Sequence, residues 1–285
     1  MDKKDDSGYS VLMSVYEKER AEFLQVSMES IYKQTVSTDN FVLVCDGRLN
    51  ESLDAVIDKM QIKFGDTLHV VRLKENSGLG NALNKGMKYC RHELIARMDS
   101  DDISIPERCE KQIRIFLEKP EVSIVSGTVL EFKGSAKRFD TQRRLPEKQE
   151  DIIKFAKTRN PFNHPCVMYK KSEVEAAGGY QDFFLLEDYY LWVRMLVNGC
   201  EGYNLQEPLV WMRTDAGLYK RRGGWRYAKS QVALFRYMKE QNVINASEFF
   251  VCSFTRGIVA LMPDCIREEL YRKLVREKEY IKISL

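Results

Sequence analysis

Three carboxylates fall within four positions at Asp99, Asp101 and Asp102, directly after the apolar run Leu94-Ile95-Ala96 and before Ile103-Ser104-Ile105-Pro106. So dense a cluster repels itself, and burying it is costly unless a cation or hydrogen-bond donors answer it. Hard cations such as Mg2+ and Mn2+ choose carboxylate oxygens, taking one or two from the protein and filling the rest of the shell from substrate phosphates. The plainer alternative is a solvated acidic turn at the start of a helix near Pro106. A second acidic pair, Glu187-Asp188, stands before Leu191-Trp192-Val193-Arg194. It reads either as helix N-terminal charge or as a proton acceptor.

Other polar groups stand at the ends of apolar runs. Asp46, with Gly47 freeing the backbone beside it, is placed to accept from the N–H of a uracil or guanine, or to make a tight turn. Asn76, Gly78, Gly80, Asn81 and Asn84 open a helix with small residues and amides, which either cap it or let backbone approach a ligand closely. Arg97 is a counter-ion to the acidic cluster or a phosphate ligand. His164, between Asn163 and Pro165, binds acceptor or phosphate, or braces its loop. Trp192 stacks on a sugar face or fills the core. Arg213, Arg221 and Arg222 precede Gly223-Gly224 and read as a lid over a diphosphate or as a solvated basic loop.

Positioning these groups requires a regular scaffold. Apolar runs at Tyr9 to Val15, Phe41 to Cys45, Leu68 to Leu73 and Leu94 to Met98 predict buried strands, with helical spacing between them. That alternation predicts an α/β fold, a mostly parallel sheet with crossover helices and a ligand beyond the carboxyl ends of its strands. The first run ends in Ser14-Val15-Tyr16-Glu17, the second in Asp46-Gly47, the third in Asn76 to Asn81, and the fourth in the acidic cluster. Strands at 122 to 125 and 128 to 132 follow, the latter read as part of a hairpin. A basic stretch from Lys133 to Arg144 reads as a mobile loop or strand connection. Beyond it come a helix near 148 to 157, strands at 166 to 169 and 209 to 212, and helices near 225 to 241, 247 to 262 and 264 to 279.

The chain has 285 residues, 31% of them charged and 44% hydrophobic, with a formal net charge of +3. This is an ordinary composition for a soluble protein. The charge is too small, and aromatic and basic residues too little interleaved, to argue for nucleic acid. The polar start Met1-Asp2-Lys3-Lys4-Asp5-Asp6 and the lack of an apolar stretch near the roughly 20 residues of a spanning helix predict a cytoplasmic protein. Seven cysteines without a Cys-x-x-Cys pair predict reduced thiols and no structural zinc.

One ordered set of motifs runs through residues 9 to 213. It comprises Tyr9-Ser10-Val11-Leu12-Met13-Ser14-Val15-Tyr16, Asp46-Gly47, Asn76-x-Gly-x-Gly-x-Ala82-x-Asn84-x-Gly86, Ala96-Arg97-Met98-Asp99-Ser100-Asp101-Asp102, His164-Pro165, Gly178-Gly179-Tyr180 and Glu187-Asp188-x-x-Leu191-Trp192-x-Arg194. Together these resemble the family 2 inverting glycosyltransferases of GT-A fold, especially bacterial enzymes that build capsule, lipopolysaccharide or exopolysaccharide repeats. The resemblance implies a GT-A domain over 1–222, its nucleotide-binding half at about 9–105 and its acceptor half at about 106–222, followed by a helical extension over 223–285.

It further implies a nucleoside-diphosphate sugar donor, UDP-linked, and a glycan or lipid-linked glycan acceptor. Asp46 would contact the base, Asp99 the ribose or metal, and Asp101 a Mn2+ or Mg2+ bridging the diphosphate. Asp102 is a third member of the cluster. Ser14, Tyr16, Asn76, Gly80, Asn81, Arg97 and Ser100 complete the implied nucleotide contacts. Asp188 takes the role of general base, with Glu187 beside it, and His164, Trp192, Arg213 and Arg221 offer contacts to acceptor or diphosphate. Inversion in one displacement needs a carboxylate on the acceptor side while positive charge balances the departing diphosphate. The chain departs from the family at Ser14, Cys45 and Glu17, where members usually carry Pro, an acid and Asn.

Two rival readings remain at this level. A sugar nucleotidyltransferase predicts a Gly-rich basic loop after the first strand, and Val15-Tyr16-Glu17-Lys18-Glu19-Arg20 has no glycine. A non-catalytic nucleotide-sugar or glycan-binding subunit has no need of both Asp101 and Asp188. Mixed basic and aromatic residues after Trp225, followed by the apolar run Phe249 to Phe254, predict either packing on the catalytic domain or a peripheral hold on the inner membrane leaflet. The sequence leaves the donor sugar, the acceptor and the oligomeric state open.

Overall fold

The computed structural model describes residues 8–134, 139–214, 221–264, 266, 267, 269 and 270. Its first half is built as the apolar runs dictate. Strands β1 (Tyr9–Val15), β2 (Asn40–Cys45), β3 (Leu68–Arg72) and β4 (Leu94–Asp99) alternate with helices α1 (Ala21–Tyr32), α2 (Glu51–Phe64) and α3 (Leu79–Met87). They lie side by side in the order β3-β2-β1-β4, all parallel. The strands carry almost unbroken apolar sequence because crossover helices cover both faces of such a sheet.

The register aligns the functional ends. Ser14 of β1 sits beside Asp99 of β4, and Val15 beside Cys45 of β2. Three polar strand ends thereby share one edge of the sheet.

The second half extends the sheet with mixed polarity. It adds β5 (Ile103–Ser104), α4 (Arg108–Glu118), β6 (Val122–Phe132), β7 (Phe139–Arg143), α5 (Gln149–Ala156), β8 (Met168–Lys170), α6 (Lys171–Ala176), α7 (Glu187–Val197) and β9 (Glu201–Arg213). The sheet order continues β4-β8-β6-β9-β5, with β7 paired to β6. β8 is antiparallel to β4 and β6, whereas β6 and β9 run parallel.

Two expectations change here. Residues 122 to 132 form one strand, not two, because β6 pairs with β9 along its whole length, with register shifts between Gly127 and Val129. A Cβ at Gly127 would lie 2.5 Å from the Leu209 side chain, so glycine lets β6 and β9 approach. The basic stretch after Lys133 is not all loop: Phe139–Arg143 is the antiparallel partner of β6, with Glu131 opposite Thr141.

Apolar clusters fill both faces of the sheet. One joins α1, α2 and α4 to β1 and β2, and the other joins α3 and α7 to Leu12, Val42, Ile95 and Tyr169. Helices α8 (Trp225–Glu240) and α9 (Ala246–Leu261) follow. Leu234, Phe235 and Met238 of α8 share a third cluster with Leu186, Tyr189 and Val193 at α7. The capping box between Asn245 and Glu248 fixes the start of α9. The third expected carboxyl-terminal helix, 264 to 279, lies mostly outside the described residues. No described helix is long and apolar enough to cross a membrane.

Candidate active site

The acidic cluster occupies the turn from β4 to β5. Ligand oxygens of Asp99, Asp101 and Asp102 all lie within 4.8 Å of one another. α1 and β4 hold Asp99, and the end of β9 holds Asp101 and Asp102. The Ser27 hydroxyl of α1 donates to the Asp99 carbonyl (2.7 Å), and the Asp99 carboxylate pairs with Arg97 at 2.5 Å. Asp102 Oδ1 accepts the backbone N–H of Arg213 at the end of β9 (2.7 Å). Arg213 Nε also donates to the Asp101 carbonyl (3.1 Å).

The electrostatics leave this cluster short of positive charge. Burial, then the charges of Asp99 and Glu19, push Asp101 up to about 7. Burial, then Asp101 and Asp99, raise Asp102 well above the usual carboxylate range. Asp102 Oδ2 is buried without a hydrogen-bond partner. An orphaned carboxylate oxygen among converging acids is the donor set of a hard divalent cation, and the residues present fit one.

Arg97 is 1% exposed and bonded to Asp99, so it is the counter-ion of the cluster and is closed to a phosphate. Beneath it, the buried Arg108 donates to the Arg97 carbonyl (2.7 Å) and the Val167 carbonyl (3.2 Å), locking β4 to the segment before β8. The Ser100 hydroxyl is engaged by Glu19 (2.8 Å).

Asp46 is 4% exposed at the end of β2. Its Oδ1 accepts from the Ser77 N–H (2.7 Å) and hydroxyl (3.1 Å), and its Oδ2 from the Gly78 N–H (3.0 Å). The carboxylate thus shapes the loop before α3, and any contact to a base must share an oxygen with these donors. Gly47 has φ +90°, and a Cβ there would meet the Asn76 nitrogen at 2.7 Å. Asp46→Ala, which strands two backbone N–H groups, is expected to destabilise the protein by about 2 kcal/mol, as chemical denaturation will measure. Cys45, standing where the family carries an acid, is wholly buried in the apolar cluster beneath β1 and β2.

Ser14 and Tyr16 lie on the same edge, Tyr16 exposed and Ser14 partly so. Asn76 donates to the Asp46 carbonyl (3.2 Å), and Asn81 to the Ser77 carbonyl (2.9 Å), so both amides bind their own loop. Gly80 serves packing more than ligand approach, since a Cβ there would touch Tyr180 at 3.3 Å and Glu187 at 3.7 Å. Its small size brings α3 against the start of α7. Asn84 completes that join by bonding both the N–H (2.8 Å) and carbonyl (2.5 Å) of Tyr180.

The two acids of α7 face different surroundings. Burial, then Asp188, push Glu187 up to about 7, and the charges of Arg97 and Asp99 reach it. Asp188 Oδ2 accepts from Asn160 Nδ2 (2.6 Å) and Oδ1 from the Tyr189 N–H (2.7 Å). Burial raises its pKa, opposed by these two hydrogen bonds and then by the charges of Arg222 and Arg143. Nothing in the sequence pairs Asn160 or Arg143 with Asp188. They reach Asp188 only through the fold.

The remaining expected contacts divide. Trp192 is wholly buried among Phe162, His164, Tyr169 and Tyr180, with ring centroids 6.0 to 6.3 Å away. It presents no face to a sugar, which corrects the stacking expectation: at helical spacing its apolar area is worth more inside the core. His164 is buried, with Nε2 3.0 Å from the Tyr180 hydroxyl, and burial followed by the Arg97 charge holds it well below its ordinary pKa. It is a neutral brace. Arg213 is fixed instead of loose, with its guanidinium 3.7 Å from the Phe23 ring centroid and NH1 donating to the Gly134 carbonyl (2.7 Å). Arg221 is exposed, and residues 215–220 before it lie outside the described set.

A Rossmann-like half with carboxylates at its carboxyl edge, joined to a second half whose helix brings an acidic pair toward them, defines a GT-A glycosyltransferase. The structures that it resembles agree. S. aureus TarS 1-349 in complex with UDP-GlcNAc superposes with a TM-score of 0.65 at 15% identity, covering 94% of this chain and 76% of that one. The mannosyltransferase PcManGT from Pyrobaculum calidifontis, in complex with GDP-Man and Mn2+, gives 0.62 at 15% identity, covering 93% and 75%.

The family model for glycosyl transferase family 2 matches residues 10–175, and the chain belongs to that family. It is 40% identical over 268 residues to the amylovoran biosynthesis glycosyltransferase AmsE of Erwinia amylovora, covering 93% of this chain and 98% of AmsE. It is 38% identical over 272 residues to the UDP-Gal:alpha-D-GlcNAc-diphosphoundecaprenol beta-1,3-galactosyltransferase of Escherichia coli, covering 95% and 98%. The protein is a glycosyltransferase that uses a nucleotide-sugar donor.

Proposed function

We propose that the protein transfers a sugar, with inversion, from a UDP-sugar to a hydroxyl of a lipid-linked oligosaccharide in bacterial surface-polysaccharide assembly. The observation carrying this reading is the pair of acidic centres at one cleft: Asp99, Asp101 and Asp102 on the β4–β5 turn, and Glu187-Asp188 at the start of α7. The choice of UDP and of a lipid-diphosphate acceptor draws on the relative whose name contains both.

In this reading the donor lies over the ends of β1, β2 and β4, near Ser14, Tyr16 and the loop that Asp46 shapes. Asp99 and Asp101 would hold a Mn2+ or Mg2+, and the buried Asp102 Oδ2, which has no hydrogen-bond partner, would be a further oxygen donor. The ion, when bound, neutralises charge on the departing diphosphate. Arg97 holds the Asp99 carboxylate in place. Asp188 takes the proton of the incoming hydroxyl, its carboxylate oriented by Asn160 and the Tyr189 N–H. Its raised pKa makes it a stronger base than an ordinary aspartate.

A second reading gives the proton to Glu187, because its charge reaches Asp99 and it titrates near neutrality. Initial rates with UDP-galactose, UDP-glucose and UDP-GlcNAc on a diphospholipid-linked acceptor test the activity. Failure to release UDP from any of the three would overturn the proposal.

Metal affinity should depend on pH with a definite sign. Asp101 titrates at about 7 without a cation and must lose its proton to bind one. Mn2+-dependent UDP affinity is therefore expected to be flat above that point and to fall about tenfold for each pH unit below it. Calorimetric titration between pH 5.5 and 8, values bracketing the shifted group by roughly one unit on each side, measures the slope.

A further inference from the structure

We propose that the outer face of α9, with the basic face of α8 beside it, rests on an anionic membrane surface. Phe250, Val251 and Phe254 are 69%, 61% and 71% exposed, and Ile258 and Leu261 continue the same stripe. Within α9 itself, Cys252 and Ala260 are the buried positions. An apolar helix face this open demands a cover. At its carboxyl-terminal end the stripe meets α8 in a groove of about 370 Å3, where Leu261 and Gly257 face Trp225, Lys229 and Arg236.

Charge selects the cover. Between Asp215 and Glu240 the sequence holds seven Lys and Arg and no acid, and between Glu248 and Asp264 it holds Arg256 and no acid. Apolar side chains beside an all-basic stretch are the pattern of a helix lying in the plane of an anionic bilayer. With 16 residues, α9 is too short to span one. A second copy of the chain could cover the same stripe, but a symmetric contact would bring the basic α8 faces together.

The surface adjoins the site. Arg222, whose charge acts on Asp188, precedes Trp225 by three residues, and α8 packs on the helix that carries Asp188. A bilayer here would present a lipid-linked acceptor to α7, so the inference deepens the acceptor reading and rests on it for its purpose.

Flotation with phosphatidylglycerol–phosphatidylcholine vesicles, compared with phosphatidylcholine alone, tests it. The wild type is expected to float with the anionic vesicles only. Phe250→Ser with Phe254→Ser should abolish flotation while leaving thermal unfolding in place, and Lys229→Gln and Arg236→Gln should each weaken partitioning roughly fivefold. Absence of wild-type flotation, equal flotation of the double phenylalanine variant, or a wild-type dimer that this variant dissociates in light scattering would each overturn the inference. Release of UDP from UDP-galactose to water, assayed without vesicles, separates the two readings: its absence in the wild type counts against the donor chemistry, while flotation still decides the surface.

Discussion

Asp188→Asn is expected to bind UDP and Mn2+ as the wild type does and to lose sugar transfer by about 10²- to 10⁴-fold, the range that a general base supplies. The separation of the two effects follows from position. Asp188 is engaged by Asn160 and by the N–H of Tyr189, while the acidic cluster lies on the β4–β5 turn. Asparagine keeps the size of the side chain and can still accept from the Tyr189 N–H, so the start of α7 should be preserved. What it lacks is a site for the proton.

Glu187→Gln is the necessary companion, because its carboxylate is the one that reaches Arg97 and Asp99. It is expected to alter donor affinity by less than tenfold and to retain most of the turnover that Asp188→Asn loses. Calorimetry with UDP and Mn2+, paired with single-turnover transfer on each variant, reads the two quantities independently. Unimpaired turnover in Asp188→Asn would remove it as the base, and loss confined to Glu187→Gln would pass the role to its neighbour.

The positions of the acidic centres were legible because each closes an apolar run or opens a helix, and strand ends announce themselves by an abrupt change from apolar to polar. The parallel register then brings Ser14 beside Asp99 without further information. What each side chain touches was much less legible. Asp46 and Arg97 have the right types for base and phosphate, yet the Ser77 and Gly78 amides claim the first and Asp99 the second. Those partners come from other strand ends, and a linear reading ranks no one pairing above another.

The same limit explains the strands that were misread. The gap between 125 and 128 and the polar residues of β7 interrupt the apolar pattern, yet β9 and β6 pair across them, because pairing across a sheet overrides local preference. Trp192 shows the converse. Its neighbourhood in the sequence is acidic and suggests a binding face, while its helical phase turns it toward Phe162 and Tyr169 in the core. Asn160 and Arg143 surround Asp188 only after two distant segments meet α7.

Asp101→Asn is expected to move function and stability in opposite directions. Loss of a carboxylate from the cation site should weaken Mn2+-dependent UDP binding by about a hundredfold or more, measured by calorimetry with and without the ion. The metal-free protein should become more stable. Its folded-state pKa, about 7, lies above the ordinary value of 3.8, so the stability that protonated Asp101 contributes is present in acid and lost as pH rises through about 7.

An amide at 101 carries no such penalty, and at pH 8, roughly one unit above the shifted value, the variant should exceed the wild type by an amount on the order of 4 kcal/mol in chemical denaturation. Adding Mn2+ should stabilise the wild type and leave the variant unchanged. Equal stabilisation of both proteins by Mn2+ would mean that the acids of the β4–β5 turn are a solvated turn after all. A gain in stability joined to a loss of donor binding has no such reading: it requires that the repulsion built into this turn exists to be relieved by a cation.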